Sequence, residues 1–368
     1  MDRSTVNDEA LVPLGGSETL AQDPPVLRPV PQQAVEAPEP RSERPTTLPT
    51  EAAFTEERML RDRKAAPRNG WRRAVFAATG GAVNLGPSSR ELDEFDLIAR
   101  VKAPIIGSRR VAVISRKGGV GKTSTVLGLG HAFAAHRGDR VVALDGNPDA
   151  GSLAYRVRRE TAATVTSLLA DRDRIERYSD VRGYTSQAPT RLEVVASDND
   201  PTITQALAEA DYLAAIDVLD RHYNLILCDT GTGILDSGIQ GILAAADQLV
   251  VVMPPALDGA RVASGTLDWL EQHGYGRLVA EAIAVVNAVR PARPLLALEQ
   301  VTEHFAGRCR QVVTVPFDAH LEAGTQTSVE DLRPATRRAY LQLAAAVADG
   351  FDRTPDREHR TDRERLTR

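Results

Sequence analysis

Residues 115–125 read Ser115-Arg-Lys-Gly-Gly-Val-Gly-Lys-Thr-Ser-Thr125. This glycine-rich loop joins a short β-branched run, Arg109–Ser115, to a helical pattern over Thr123–His136. The common phosphate-binding loop is G-x-x-x-x-G-K-[ST]. Gly121, Lys122 and Thr123 supply its second half, and Arg116 stands where its first glycine belongs. Gly118, Gly119 and Gly121 flank Val120 instead, so backbone N–H groups can approach phosphate oxygens closely. The helix that opens at Lys122, Thr123 and Ser124 adds the partial positive charge of its N-terminus. Lys122 is thereby expected on the β- and γ-phosphates of ATP, and Thr123 on Mg²⁺. A glycine-rich turn without a ligand is the plainer reading, and the strand–loop–helix setting argues against it.

Lysine usage points the same way. The chain has four lysines, Lys64, Lys102, Lys117 and Lys122, against a Lys plus Arg total of 45. Lysine carries a compact charge, whereas arginine is a wider planar fork. A chain drifting toward arginine keeps lysine where the fork does not fit, and a tight loop around phosphates is such a place. Lys117 and Lys122 are therefore both read as chemical requirements.

The 368 residues allow one large domain or two ordinary ones. Hydrophobic content is 42% and aromatic content 4%, so the core must be aliphatic. A formal net charge of −5 argues against a surface that binds nucleic acid throughout. Cys228 and Cys309 are far apart and form no CxxC, which excludes a disulfide framework and a cysteine-rich metal site. No apolar run is long enough for a transmembrane helix, and the Pro- and Glu-rich start lacks the apolar stretch of a signal peptide. A cytoplasmic chain is expected, with the inner face of the plasma membrane as its alternative, peripheral site.

Residues 1–70 carry frequent prolines among Glu, Gln, Ser and Thr. That composition buries too little apolar surface to offset chain entropy, so a disordered arm is expected, either a solvated tail or a partner-binding polyproline segment. Residues 71–105 read as a connector. Ser88 and Glu91 have capping-box spacing for a helix near 89–102, with Leu92, Phe95, Ile98 and Ala99 on one face. Trp71, Val75 and Phe76 lie beside Arg72 and Arg73, and packing on the chain's own domain is preferred over a membrane or partner. From residue 106 to 352 strand and helix patterns alternate. The strands are near-continuous apolar runs, as in a parallel sheet covered on both faces. The fold class is α/β: a doubly wound, mostly parallel sheet of P-loop type. Residues 353–368 form a charged tail.

In such sheets, ligands sit at the C-terminal strand ends. Asp145 ends the second strand and Asp229 the third. A carboxylate ending an apolar strand is costly without a metal or donor partner.

The run "KGGVGKT" over 117–123 resembles the deviant Walker A motif of the MinD/ParA group of P-loop ATPases, and the resemblance extends over about residues 109–350. It implies an ATP-bound homodimer in which Lys117 reaches the partner's phosphates. It implies Mg²⁺ coordination by Asp145 and Asp229, and a γ-phosphate-sensing loop in the "DTGTG" after Cys228. Asn287, and Pro316 to Asp318 in "VPFD", resemble adenine-side contacts. Bridging iron–sulfur and intersubunit zinc sites of that group need cysteines this chain lacks.

One position departs from the group. Many members end the second strand Asp-x-Asp-Pro, with the second Asp positioning or deprotonating the attacking water. Here Asn147 takes that place in Asp145-Gly-Asn-Pro-Asp149. An amide orients water but cannot accept a proton. Slow hydrolysis is expected, with a partner protein as stimulus, and Asp149, two residues further on, is the alternative group for that role.

The C-terminal membrane anchor of a cell-division MinD is not expected in 353–368, where Leu366 is the one bulky aliphatic residue. Arg clusters at 156–159 and 172–177 offer a DNA surface of ParA type, weakened by interleaved Asp and Glu. The arm, "GWRRAVFAATGGAVNLGPS" (70–88), "ALDGNPDAGSL" (143–153) and "CDTGTG" (228–233) together resemble the EspI-like ATPases of type VII secretion. That resemblance implies a switch acting on membrane-associated secretion components. A DNA-partitioning ATPase and a nucleotide-binding scaffold with negligible turnover stand as alternatives.

Overall fold

The structure, a computed structural model, describes residues 65–68, 70–147, 151–198, 200, 202–203, 207–290 and 298–352. The expected arm up to residue 64, Asp149 and the charged tail 353–368 lie outside the described residues. Helices α1 (Gly70–Ala78) and α2 (Ser89–Val101) precede β1 (Arg109–Ile114), which runs through the glycine loop into α3 (Lys122–His136) and then β2 (Val141–Gly146). Short helices α4 (Val165–Ala170) and α5 (Tyr178–Val181) lead to β3 (Ser186–Gln187) and β4 (Glu193–Val195). Then follow α6 (Glu209–Asp220), β5 (Leu225–Thr230), α7 (Ser237–Ala245), β6 (Gln248–Met253), α8 (Leu257–Gln272) and α9 (Gly276–Ala280). The chain continues through β7 (Ile283–Asn287), α10 (Leu298–Ala306), β8 (Gln311–Val315), α11 (Ala319–Glu322) and α12 (Pro334–Ala348).

The strands form one sheet in the order β3-β4-β2-β5-β1-β6-β7-β8. All neighbours are parallel except the β3–β4 pair at one edge. Both faces are covered, which explains the uninterrupted apolar strands. Val111 and Val113 join a core layer with Leu127, Phe133 and Leu343 from α3 and α12. Ala112 and Ile114, pointing the other way, join Ile216, Ile242 and Leu267 from α6, α7 and α8. The near-continuous apolar runs of the sequence are present as β1, β2, β5, β6, β7 and β8. The two-residue β3 and three-residue β4 extend the sheet beyond them.

The capping box of α2 forms: Ser88 Oγ accepts from the Glu91 backbone N–H at 3.3 Å, and the Ser88 N–H donates to Glu91 Oε2 at 2.8 Å. The expected face needs correction. Leu92 and Ala99 are exposed, while Leu97 and Val101 are buried. The reason is the neighbour: α2 packs on α12 and α3, which lie on the Leu97/Val101 side. The expectation for α1 is corrected too. Val75 and Phe76 are only half-buried, and Trp71 is 66% exposed. Arg72, beside it, is drawn back to the Pro87 carbonyl at 3.1 Å.

Candidate functional site

The C-terminal ends of β1, β2, β5 and β7, with the loop after β8, enclose a cleft of about 410 Å³. A larger depression of about 650 Å³ lies elsewhere, against α6, and is lined by mixed charges including Arg172, Asp173, Asp217 and Arg221. It touches no strand end of the glycine-loop region.

The loop itself is shaped by two left-handed glycines. Gly119 has φ +70° and Gly121, the residue before α3, has φ +87°. A Cβ on Gly121 would run into the Asn287 side-chain amide. That amide donates to the Val120 carbonyl at 2.8 Å and is buried with it. Asn287 thus braces the glycine loop from β7 while also lining the cleft. Gly118, Gly119, Val120, Gly121, Lys122, Thr123 and Ser124 all line it.

Asp145 and Asp229 face each other across the β2–β5 register, and both are essentially fully buried. The Asp145 carboxylate accepts backbone N–H bonds from Asn147 at 3.2 Å and Leu153 at 3.1 Å. Asp229 Oδ2 accepts from the Thr123 hydroxyl at 2.6 Å. Burial raises both carboxyl pKa values well above the ordinary range, and for Asp229 the Asp145 charge raises it further. Asp229 Oδ1 is buried with no hydrogen-bond partner. An orphaned carboxylate oxygen beside a threonine hydroxyl and a second carboxylate is an all-oxygen donor set of the kind Mg²⁺ takes. The residues present therefore fit that ion.

The other candidates divide. Asn147 lines the cleft, as do Thr230, Gly231 and Thr232 of the "DTGTG" loop. Pro316 is not among the lining residues; Phe317 is. Asp318 also lines the cleft, but its carboxylate is engaged, accepting from the His320 N–H at 3.1 Å and the Arg333 N–H at 2.8 Å. It holds the loop after β8 in shape. Lys117 stands outside the cleft lining and forms an ion pair with Asp258, at the start of α8. Cys228 is buried in β5 and its thiol is pushed up to about 12 by desolvation, which leaves it unreactive.

Six lining residues escaped sequence reasoning: the aliphatic Ala288, Val289 and Leu321, the acidic Glu322, and Ser152 and Arg156. Ser152 places its hydroxyl 3.4 Å from that of Thr123. Arg156, grouped by sequence with an arginine cluster, turns into the cleft. Both lie in or beside a short 3-10 turn, Leu153–Arg156, which carries no periodic signal.

Comparisons with known proteins bear on the family and the fold. The model of the CobQ/CobB/MinD/ParA nucleotide binding domain matches residues 111–326. The ESX-1 secretion-associated protein EspI of Mycobacterium tuberculosis H37Rv is 40% identical over 292 residues, covering 79% of this chain and 43% of EspI. The chain therefore spans less than half the length of that relative. The ParA family ATPase from Chlorobium tepidum superposes with a TM-score of 0.55 at 18% identity, over 65% of this chain and 98% of that one. The septum site-determining protein MinD from Pyrococcus horikoshii, complexed with Mg-ADP, superposes with a TM-score of 0.52 at 18% identity, over 64% and 94%.

Proposed function

The chain belongs to the CobQ/CobB/MinD/ParA nucleotide-binding family, and from that premise we propose that it is a Mg²⁺-dependent ATPase switch that dimerises around ATP and hydrolyses it slowly. The observation that carries the reading is the join between the glycine loop and the buried carboxylates: Thr123, first turn of α3, is bonded to Asp229 at the end of β5. Phosphate-binding and metal-binding groups thereby meet at one point. The backbone from Gly118 to Thr123 and the Lys122 ammonium would bind the phosphates. Thr123, Asp145 and Asp229 would hold Mg²⁺. Bound Mg²⁺ supplies charge neutralisation on the phosphate oxygens. Asn147 would orient the attacking water without taking its proton, which is the reason for slow turnover. Thr230 to Thr232 would register the γ-phosphate. Lys117 would leave Asp258 and reach the phosphates of a second copy.

The likeness to EspI supports a role at a type VII secretion machine, as a cytoplasmic switch that engages membrane-associated components. Among the described residues no helix is long and apolar enough to cross a membrane, so contact with the membrane face would be peripheral. DNA partitioning is less favoured, because Arg156 faces the cleft and the Arg172–Arg177 stretch is interrupted by Asp173 and Glu176.

Single-turnover release of phosphate from Mg-ATP tests the assignment of Asn147. Slow release by the wild type and faster release by Asn147→Asp are expected. No gain in the variant counts against the water-orienting role. Tight binding without any release favours a scaffold.

A further inference from the structure

One cation in the cleft has no part in the reading above. Arg156 closes the turn that follows the β2 loop. It lines the cleft together with the glycine loop, Asn147 and Phe317. Its carbonyl accepts from the Thr327 N–H at 2.8 Å, and its Nη1 donates to the Leu321 carbonyl at 3.4 Å. The stretch after β8 thus holds the side chain in place without neutralising it.

Three arginines elsewhere in the described residues are matched by carboxylates: Arg100 by Asp349 at 2.6 Å, Arg182 by Glu160 at 2.8 Å, Arg308 by Glu271 at 2.9 Å; Arg109 and Arg191, like Arg156, bond backbone carbonyls instead, but they do not line the cleft. Arg156 forms no ion pair among the described residues. A guanidinium has five N–H donors, and here one backbone carbonyl takes one of them at long range. Burial disfavours its charge, and Asp229 is the carboxylate whose field opposes that effect. Ser152, at the start of the turn that Arg156 closes, has its hydroxyl 3.4 Å from that of Thr123, the residue bonded to Asp229, so the turn carrying Arg156 borders the Thr123–Asp229 end of the cleft. Among the described lining residues Lys122 and Arg156 are the two cations. Lys117 is outside, on Asp258.

We propose that Arg156 is a phosphate ligand supplied in cis, whose planar fork binds oxygens of the terminal phosphate of a nucleoside triphosphate. A fork matches two phosphate oxygens at once, which an ammonium cannot do. The role rests on the nucleotide reading above. It adds a discriminating element: a cation that tells triphosphate from diphosphate within one chain, before any second copy arrives.

Calorimetric titration of the full chain with Mg-ATP, Mg-ADP and AMP tests this, using wild type, Arg156→Ala and Arg156→Lys. Loss of a charge-assisted pair predicts roughly ten- to a hundredfold weaker ATP binding in Arg156→Ala, with ADP changed far less and AMP unchanged. Arg156→Lys should recover part of the ATP affinity, and it carries the test if the alanine variant melts early. Equal losses for ATP and ADP, or no loss for either, overturn the role of Arg156 while leaving the nucleotide site standing. A wild type that binds none of the three overturns the nucleotide reading and this inference with it.

Discussion

At the scale of single residues, Asp145 and Asp229 govern the pH behaviour of the unliganded protein. Two carboxyls side by side in a dry strand end prefer to keep protons, so their folded pKa values lie above the unfolded ones. The folded state then binds more protons than the unfolded one. The stability they contribute is full below about pH 4 and is lost as pH rises through the raised folded values. His131 acts in the opposite sense. Burial lowers its pKa to about 4 from 6.5, so its contribution is lost as pH falls between those values. Asp229→Asn should keep the Thr123 bond, flatten the loss of Tm toward neutral pH, and leave the acid-side loss intact. One unit of differential pKa is worth about 1.4 kcal/mol, and roughly 2–4 °C accompanies each kcal/mol in a domain of this size. The same variant should lose stabilisation by Mg-ATP; melting curves from pH 5 to 8, with and without Mg-ATP, check both. These two carboxylates were legible in sequence because a charged residue ending an apolar strand is conspicuous. Arg156 was not, because a short irregular turn gives no sign of where its side chains point.

At the scale of elements, the loop and the helix it starts form one device with β7. Gly121 has the left-handed conformation that costs other residues roughly 1–2 kcal/mol, and the Asn287 amide fills the space a Cβ needs. Gly121→Ala should lower Tm by several degrees and weaken ATP binding by more than about tenfold, since a misplaced loop loses its shared N–H contacts. Adding Asn287→Ala should relieve the collision and recover part of the Tm, but not the nucleotide affinity; differential scanning fluorimetry and titration separate the two effects. The long strands were readable because burial on both faces makes them continuous apolar runs. β3 and β4 are too short to show a period. The face of α2 was misread because Leu92 and Ala99 fit a helical stripe, whereas the docking side is fixed by α12 and α3, which lie far away in sequence.

At the scale of the whole molecule, the proposed dimer turns on a lysine that lies outside the lining of its own cleft. Lys117 sits on the rim of the glycine loop, paired with Asp258 of the same chain, while Lys122 lines the site. Partial exposure of both partners makes that pair easy to exchange, and ATP held by a second copy offers a denser negative charge. The most direct measurement is sedimentation velocity of the full chain with Mg-ATP and with Mg-ADP, for wild type and Lys117→Ala, with ATP binding of each confirmed separately. Mg-ATP is expected to double the mass of the wild type, Mg-ADP is expected to leave it unchanged, and Lys117→Ala is expected to bind ATP yet stay a single chain. A wild type that remains a single chain at saturating Mg-ATP, or a Lys117→Ala variant that doubles as readily, would contradict these expectations.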